Sequence, residues 1–339
     1  MTLLLLLWYK GYMKANKPRV IIIDALNMYF RAYIVDPSLS TNGQPIGGVK
    51  GFLKIMQKLV RETKPDQVVI AWDGAGGSQK RKAMNKGYKE GRKPIRLNRQ
   101  IQNLSENEEL ENKVWQQTRL VEYLNCMPIS QIMLPAIEAD DIIAAVTSLS
   151  SLQGWEKIIV SSDKDFFQLC DDETILHRPI QKVFLNKHRI ISEHGIHPLN
   201  FALARAIVGD KSDNLPGVGN AGLKTVAKRF PFLSEEKNYT VQDVVTFCDS
   251  LESKLKVHHN ILENRELIES NYQIMQLYTP MVSPQSKEIV RYAVEEAPQE
   301  FNKTEMLKMM VNDGFGAFDW SSLFQTMKRI VVDSKEEHN

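Results

Sequence analysis

The sequence predicts an α/β fold in which a parallel-rich central sheet is flanked by helices. Three strand-length runs carry this prediction, because each is apolar and each ends in an aspartate: residues 19–24, 67–73 and 157–163. Such runs are typical of strands that are buried on both faces, as in a parallel sheet covered by helices. Residues 129–134 form a weaker fourth candidate.

Helical stretches separate the strand candidates, at residues 49–63, 107–125 and 139–150. This alternation of strand and helix is typical of a doubly wound domain, whose ligands bind beyond the carboxyl ends of the strands. After residue 195 the pattern becomes mostly helical, beginning with residues 197–208 and 223–229.

The chain is therefore expected to divide into four parts. These are an N-terminal extension (1–18), an α/β core (19–195), a helical C-terminal region (196–332) and a polar tail (333–339).

The composition is that of a globular protein, with 339 residues, 43% hydrophobic residues and a formal net charge of +2. Cys126, Cys170 and Cys248 lie far apart, which excludes a disulfide framework and indicates a reducing compartment. The apolar run at residues 3–8 is shorter than the stretch of about 20 residues that spans a bilayer. We therefore expect no contact with a membrane.

Basic side chains concentrate in residues 80–99, where nine Lys or Arg residues accompany a single glutamate. A solvated basic face, a disordered basic loop and a phosphate-binding segment all have this composition. The segment follows Asp73 directly, so it leaves the sheet at the edge where the strands are expected to end.

Carboxylates are expected to gather at the same edge. The candidates are Asp24, Asp73, Glu138, Asp140, Asp141, Asp163, Asp165, Asp210 and Asp213. For the EADD motif of residues 138–141, favourable interaction with a helix N-terminus is the alternative explanation. So many anions in one cleft require cations, and oxygen ligands favour Mg²⁺ or Mn²⁺ over zinc. Two such ions about 3.5–4 Å apart clamp a phosphodiester in known two-metal sites.

Several motifs, in this order and spacing, resemble the 5′→3′ exonuclease/flap endonuclease family. They are RVIIIDALNMYFRAY, VIAWDGAGGSQKRK, GYKEGRK, EADD, SSDKDFFQL and GDKSDNLPGVGNAGLKTVAKRF. The likeness is to stand-alone phage enzymes and to the 5′-nuclease domain of bacterial DNA polymerase I, and it covers residues 19–230. It implies a PIN-like nuclease core with a basic helical arch or gateway at about 78–115.

The resemblance assigns the acids to two metal sites. The first is matched by Asp24, Asp73, Glu138 and Asp140. The second is matched by Asp163, Asp165 and Asp210, with Asp140 as a candidate bridge between the two sites. Asp141 and Asp213 match outer acids.

The resemblance also assigns DNA contacts near the acids. Lys89 and Arg92 match basic residues that reach the scissile phosphate, where they would stabilise the developing charge. Arg31 matches a phosphate contact, and Arg81 is included among the DNA-binding residues. Tyr88 is a candidate for stacking on a base.

Residues 205–230 match a helix–three-turn–helix element that binds duplex DNA through backbone N–H groups and basic side chains. The contact candidates are Gly217, Gly219, Gly222, Lys224, Thr225 and Lys228. Family hairpins also bind a monovalent cation, such as K⁺. Here Asn220 and Ala221 depart from the family pattern, although Asn tolerates a left-handed backbone.

Together these observations predict a Mg²⁺-dependent 5′-nuclease that cuts near 5′ ends or flap junctions in DNA or RNA–DNA hybrids, with an RNase H activity and a role in primer and flap removal. The alternatives are a branched-DNA-binding protein that does not cut and a PIN-type ribonuclease. We expect a monomer in the cytoplasm of a bacterium or of a phage-infected host. A single-strand-binding protein or a sliding clamp is the candidate partner.

Overall fold

The computed structural model describes residues 17–92, 96–97, 100–101 and 104–336, with the backbone alone for residues 331–336. Some of the expectations fall outside this part of the chain. They include the apolar run at residues 3–8, the end of the polar tail, and Lys93 and Arg99 of the basic segment.

The strands of the described residues form one six-stranded sheet in the order β3-β2-β1-β4-β5-β6. They are β1 (Arg19–Asp24), β2 (Gln67–Trp72), β3 (Ser130–Met133), β4 (Glu156–Val160), β5 (Thr174–Arg178) and β6 (Val183–Leu185). Every neighbouring pair is parallel except β5 and β6. Ile23 of β1 lies opposite both Ile70 of β2 and Val160 of β4, so these strands end at one edge. The predicted parallel-rich sheet is confirmed.

The prediction for β4 is wrong at its carboxyl end, because the strand stops at Val160 rather than at residue 163. The chain leaves the sheet there to make polar contacts with the neighbouring element. The Ser161 hydroxyl donates to Oδ2 of Asp24 at 2.9 Å, and the Ser162 N–H donates to Oδ1 of Asn27 at 3.0 Å. Asp163 therefore lies on a loop beyond the strand.

The helices agree with the predicted stretches and add several others. In the described residues they are α1 (Ala25–Val35), α2 (Gly47–Thr63), α3 (Gln79–Met84), α4 (Glu106–Asn125), α5 (Ala139–Thr147), α6 (Lys187–His194), α7 (Phe201–Val208), α8 (Leu223–Arg229), α9 (Val241–Ser250), α10 (Lys256–Glu263), α11 (Arg265–Met275), α12 (Pro284–Glu295), α13 (Lys303–Asn312) and α14 (Trp320–Glu336). Between α3 and α4 the described residues form turns and irregular backbone, so the described part of the expected arch is helical only near its two ends.

Each face of the sheet is covered by a hydrophobic core. Because side chains alternate along a strand, Val20 and Ile22 of β1 face one core, while Ile21 and Ile23 face the other. The first core contains side chains from α5, α7, α8 and the helices α9 to α12. The second contains side chains from α1, α2, α4, α13 and α14. The helical C-terminal part thus packs against both faces.

The three cysteines are buried and unpaired. Cys170 and Cys248 belong to the first core and Cys126 to the second. As the sequence predicts, they do not form a disulfide.

None of the described helices is both long enough and apolar enough to cross a membrane.

Candidate active site

Carboxylates gather at the edge of the sheet where β1, β2 and β4 end. Asp24 is the last residue of β1, Asp73 follows β2, and Asp163 and Asp165 lie on the loop after β4. Asp140 reaches the same edge from the first turn of α5. Electrostatic repulsion links Asp24 to Asp73 and Asp163, and it links Asp163 to Asp140 and Asp165. The five acids therefore share one electrostatic environment.

Burial changes the proton affinity of these acids. It raises the pKa of Asp24 to about 7, with smaller contributions from the nearby Asp73 and then Asp163. Burial and then Asp163 also raise the pKa of Asp165 to about 7, against the opposing effect of Arg205. The pKa of Asp140 is well above its usual range, because of burial first and of Asp163 and Asp24 second. A cation placed among these acids would stabilise their charged forms.

Arg81 of α3 is a buried cation between two of the predicted metal ligands. Its side chain is only 4% exposed, and its Nη1 atom lies 2.5 Å from Oε2 of Glu138 and 2.6 Å from Oδ2 of Asp141. Its Nε atom donates to the carbonyl oxygen of Ile274 at 3.0 Å. This enclosed guanidinium is not available to DNA, so the structure corrects the expectation of a DNA contact.

Asp141 also differs from its expected role. One carboxylate oxygen accepts from Arg81, and the other accepts the backbone N–H of Met281 at 2.8 Å. The residue is 1% exposed. Asp141 therefore anchors the start of α5 and the segment before α12, and it is not presented to the other acids as an outer ligand.

The ring of Tyr88 is buried, which corrects the expectation that it stacks on a base. It packs with Leu215, Ile274 and Met275 and is 3% exposed. Its hydroxyl donates to Oε2 of Glu138 at 3.3 Å. A ring enclosed in this way has no free face for a base.

Lys89 and Arg92 lie against the acids on the turns that follow α3. The Nζ atom of Lys89 is 2.5 Å from Oε1 of Glu138, and Nη2 of Arg92 pairs with Oδ1 of Asp213. The Lys89 backbone N–H donates to the carbonyl oxygen of Asp213 at 2.9 Å. Lys89 has a φ of 56°, which is uncommon for a residue with a side chain. Both predicted catalytic residues are thus held beside predicted metal ligands.

Arg205 of α7 bridges two acids on the other side of the cluster. Its Nε atom lies 3.0 Å from Oδ1 of Asp165, and its Nη2 atom pairs with Oδ2 of Asp210. The remaining oxygen of Asp210 accepts from the backbone N–H of Ser212 at 2.7 Å and from its hydroxyl at 2.6 Å. Burial acts to raise the pKa of Asp210, but Ser212 and Arg205 outweigh it and hold the pKa below its usual range.

Arg31 of α1 has an unusual environment for a basic residue. Its Nη1 atom is buried and has no hydrogen-bond partner among the described residues. Burial lowers the pKa of this guanidinium. Leaving a buried N–H unpaired costs about 1–3 kcal/mol, so an oxygen from a ligand would stabilise this side chain.

The loop between α7 and α8 is tightly packed against the end of α7. Gly209 has a φ of 76°, and a Cβ atom added to Gly217 would lie 1.8 Å from the carbonyl oxygen of Val208. Asn220 has a φ of 64°. Asparagine therefore occupies the left-handed conformation that the turn requires at this departure from the family pattern.

The helix after this loop presents basic side chains to solvent. Lys224 and Lys228 are exposed and lie one turn apart on α8. The carbonyl of Gly219 accepts from Nδ2 of Asn260 at 2.8 Å, which ties the loop to α10. The other predicted contacts are the exposed Gly222 and the half-buried Thr225.

A model of the 5′-3′ exonuclease N-terminal resolvase-like domain matches residues 19–195, which is just over half of the chain. The chain belongs to the 5′-3′ exonuclease family. This exonuclease is 26% identical over 295 residues to the 5′-3′ exonuclease of Aquifex aeolicus, covering 85% of this chain and 93% of that one. It is 31% identical over 211 residues to the 5′-3′ exonuclease of Buchnera aphidicola, covering 62% of this chain and 68% of that one.

The exonuclease is also similar to part of a larger enzyme. It is 30% identical over 213 residues to the thermostable DNA polymerase I of Thermus aquaticus. This match covers 62% of the present chain but only 24% of the polymerase. As the family relationship shows, the chain is a nuclease, a hydrolase of phosphodiester bonds.

Solved structures confirm the fold. The bacteriophage T5 5′-exonuclease with bound zinc ions superposes with a TM-score of 0.61 at 18% identity, covering 87% of this chain and 99% of that one. A T5 flap endonuclease in complex with DNA and metal ions superposes with a TM-score of 0.60 at 17% identity, covering 88% of this chain and all of that one.

The donor set of this exonuclease fits a divalent cation by its chemistry. In the part of the chain that the structure describes, no three His, Cys, Asp or Glu side chains are already arranged to hold an ion. Glu138 and Asp210 instead contact Lys89 and Arg205. Carboxylate oxygens nevertheless suit a hard divalent cation.

Sequence reasoning did not single out Arg205, Ser161 or Asn27. Ser161 and the backbone of Asn27 both donate to the Asp24 carboxylate and fix its orientation. A signal existed for Arg205, which lies five residues before Asp210 at the end of a predicted helix. A cation one turn before an acidic loop is within reach of that loop.

Proposed function

We propose that this exonuclease is a Mg²⁺-dependent, structure-specific 5′-nuclease. It hydrolyses phosphodiesters near 5′ ends and flap junctions in DNA and in RNA–DNA hybrids. The observation that carries the proposal is the edge of acids at the ends of β1, β2 and β4, with Lys89 and Arg92 held against it. Cutting a phosphodiester requires acidic side chains that bind metal beside basic side chains that bind phosphate.

The metal ligands in this proposal fall into two sets. Asp24, Asp73, Glu138 and Asp140 form the first, and Asp163, Asp165 and Asp210 form the second, with Asp140 between them. When bound, the two ions supply a hydroxide nucleophile near neutral pH and neutralise charge on the phosphate. Mn²⁺ is expected to substitute for Mg²⁺, because it accepts the same oxygen ligands.

Lys89 and Arg92 stabilise the scissile phosphate in this proposal. Each is already beside an acid of the cluster, Lys89 at Glu138 and Arg92 at Asp213. When DNA arrives, the two side chains exchange these carboxylates for phosphate oxygens that become more negative in the transition state. Arg31 contributes its unpaired Nη1 to a neighbouring phosphate.

The duplex part of the substrate lies on the loop 209–222 and α8. Exposed Lys224 and Lys228 follow the turns of this loop, which supports contact with successive phosphates. We extend the proposal to a K⁺ ion on the loop carbonyls, as the family resemblance implies. The division into a nuclease core at 19–195 and a helical DNA-binding region at 196–332 is part of the same proposal.

In the cell, we propose that the enzyme acts as a cytoplasmic monomer that removes primers and flaps during replication. A single-strand-binding protein or a sliding clamp remains the candidate partner. The neighbour in complex with DNA and metal ions supports the substrate class.

Cleavage of a 5′-labelled flap duplex tests the proposal. We expect cutting near the junction in Mg²⁺, no cutting in EDTA, and loss of cutting in an Asp163→Ala/Asp165→Ala variant that still binds the flap. Single-stranded RNA and a fully paired duplex without a free 5′ end serve as competitors. Tight flap binding without cutting in Mg²⁺ or Mn²⁺ would contradict the proposal and favour a protein that only binds branched DNA. Preference for single-stranded RNA would favour a PIN-type ribonuclease.

A further inference from the structure

Arg205 is a largely buried cation in an otherwise apolar helix. The side chain is 13% exposed, and nearly every other residue of α7 is buried and apolar. Burying a guanidinium is costly unless it is paired and hydrogen-bonded. Among the described residues, the side chain of Arg205 bonds to the carboxylates of Asp165 and Asp210, so these two acids account for its presence.

The bridge uses one oxygen of each acid. Arg205 donates to Oδ1 of Asp165 and to Oδ2 of Asp210, while Ser212 donates to the second oxygen of Asp210. The guanidinium therefore occupies oxygens that a metal at these acids would also use. It also brings a positive charge into the half of the acid cluster formed by Asp163, Asp165 and Asp210.

We propose that Arg205 is an internal counter-ion that competes with the divalent metal for Asp165 and Asp210, and so weakens metal binding in this half of the site. The inference rests on the proposed function, because it requires that these acids bind metal. In this view Arg205 is a positioning residue that acts through the two carboxylates. It keeps them together without a metal and leaves the second ion weakly bound until the substrate phosphate adds its own negative charge.

Two effects of Arg205 have opposite signs, and the choice of variants separates them. If its charge decides, removing the charge strengthens metal binding, because a unit charge about 6 Å from a divalent ion changes binding by about tenfold even at the dielectric constant of water. If its bridging geometry decides, any change weakens binding, because the two acids then separate. Arg205→Gln removes the charge, whereas Arg205→Lys keeps the charge but loses the planar fork.

Calorimetric titration of the full-length chain with Mn²⁺, without DNA, tests the inference. We expect Arg205→Gln to bind Mn²⁺ about tenfold more tightly than the wild type at its weaker site, and Arg205→Lys to bind as the wild type does. Arg291→Gln is the matched control. Arg291 also bridges two carboxylates, those of Glu288 and Glu295, but it lies on the exposed face of α12. This control is expected to bind Mn²⁺ as the wild type does.

The outcomes distinguish the inference from the proposed function. If the wild type does not bind Mn²⁺, the proposed metal site fails. If the wild type binds Mn²⁺ but Arg205→Gln binds no more tightly, the inference is overturned. It is also overturned if Arg205→Lys gains as much affinity as Arg205→Gln, because the charge is then not the cause.

A second measurement is made on the wild type and does not depend on the folding of Arg205→Gln. The Nε–H signal of Arg205 in a nitrogen-15 NMR spectrum, assigned by its loss in Arg205→Lys, reports the contact with Asp165. We expect Mg²⁺ to shift this signal, because the metal takes the carboxylate oxygen. A signal that stays unchanged while the Mg²⁺ site fills would overturn the inference.

Discussion

The carboxylate of Asp24 combines a structural task with a proposed catalytic one. It is the N-cap of α1, accepting from the N–H of Asn27 at 3.2 Å, and it also accepts from Ser161. Burial raises its pKa to about 7 even though both hydrogen bonds favour the charged form. Ionising this carboxyl group therefore costs more free energy in the native protein than in the unfolded chain.

The sign of this shift predicts how stability depends on pH. Between about pH 4 and pH 7 the native state binds more protons at Asp24 than the unfolded state does, so stability falls as the pH rises. In EDTA we expect the wild type to melt at a lower temperature at pH 8 than at pH 5. Asp24→Asn cannot ionise at this position. Between pH 5 and pH 8 its free energy of unfolding should therefore fall by at least about 1 kcal/mol less than that of the wild type. Thermal melts followed by circular dichroism measure the difference.

Mg²⁺ at pH 8 should restore much of the lost stability in the wild type, because a ligand that binds only the native state stabilises it. The exposed Asp249→Asn is the control and should melt like the wild type at both pH values. A wild type that is more stable at pH 8 than at pH 5 in EDTA would contradict this account.

Lys89 is expected to contribute to the reaction more than to the fold. Its ammonium contacts Glu138, but Arg81 also pairs with that acid, so Glu138 keeps a counter-ion when Lys89 is removed. Lys89→Ala should lower the single-turnover cleavage rate by about 10²–10³-fold, the usual effect of removing one group that stabilises transition-state charge.

The control for Lys89 is Lys86→Ala, an exposed lysine on the same turns. Lys86→Ala should cleave within a few fold of the wild type, and both variants should keep the wild-type melting temperature. Equal losses of rate in the two variants would show that the segment provides only general positive charge.

At the scale of elements, the loop between α7 and α8 depends on close contact between backbones. A Cβ atom at Gly217 would collide with the carbonyl oxygen of Val208, whereas one at Gly222 meets open space. Gly217→Ala should destabilise the protein by about 1–3 kcal/mol, as overpacking typically does, and should weaken duplex binding. Gly222→Ala is the matched control and should lose less stability than Gly217→Ala, because its Cβ atom meets no neighbour and only the N-cap preference of α8 is affected, as denaturant titration would show. If Gly217→Ala is as stable as Gly222→Ala, the loop is not held by this contact.

The elements also show what the sequence could and could not predict. Strands β1, β2 and β4 are buried on both faces, so their apolar runs were visible without an alignment. Strands β5 and β6 were not predicted, since β5 ends in His177 and Arg178 and β6 has only three residues. The predicted end of β4 was too late, because the strand is ended by hydrogen bonds to the start of α1. That helix lies far from β4 in the sequence, so a local motif does not reveal these bonds.

Within the candidate site, the acids were predicted as a set, but their separate environments were not. Asp140 and Asp141 are neighbours in sequence, yet a helix turns about 100° per residue, so they point in different directions. Asp141 meets Arg81, and Asp140 meets the other acids. Only the packing of α3 against α5 and α11 decides this difference, and a local motif does not contain that information.

At the scale of the whole molecule, the two cores join distant parts of the chain. Met306 and Met310 of α13 are fully buried in the second core, with residues of β1, β2 and α4. We therefore expect the α/β core and the last helices to unfold together. Met310→Ala should destabilise the protein by about 2–5 kcal/mol and should lower the melting temperature in a single transition.

Circular dichroism and tryptophan fluorescence, recorded on the same sample, measure whether that transition is single. Val311→Ala is the matched control, because Val311 is the next residue of α13 and is 76% exposed. It should leave the melting temperature nearly unchanged. Separate transitions for the two probes would mean that the last helices unfold independently of the sheet.

The reactivity of the buried cysteines can report local opening of the hydrophobic cores. Burial raises the pKa of Cys248 to about 11 and raises that of Cys170 further, so little of either thiol is present as the reactive thiolate. A thiol reagent should modify them only when the surrounding core opens. The rates of modification at Cys126, Cys170 and Cys248 would then report local fluctuations on the two sides of the sheet without any introduced label.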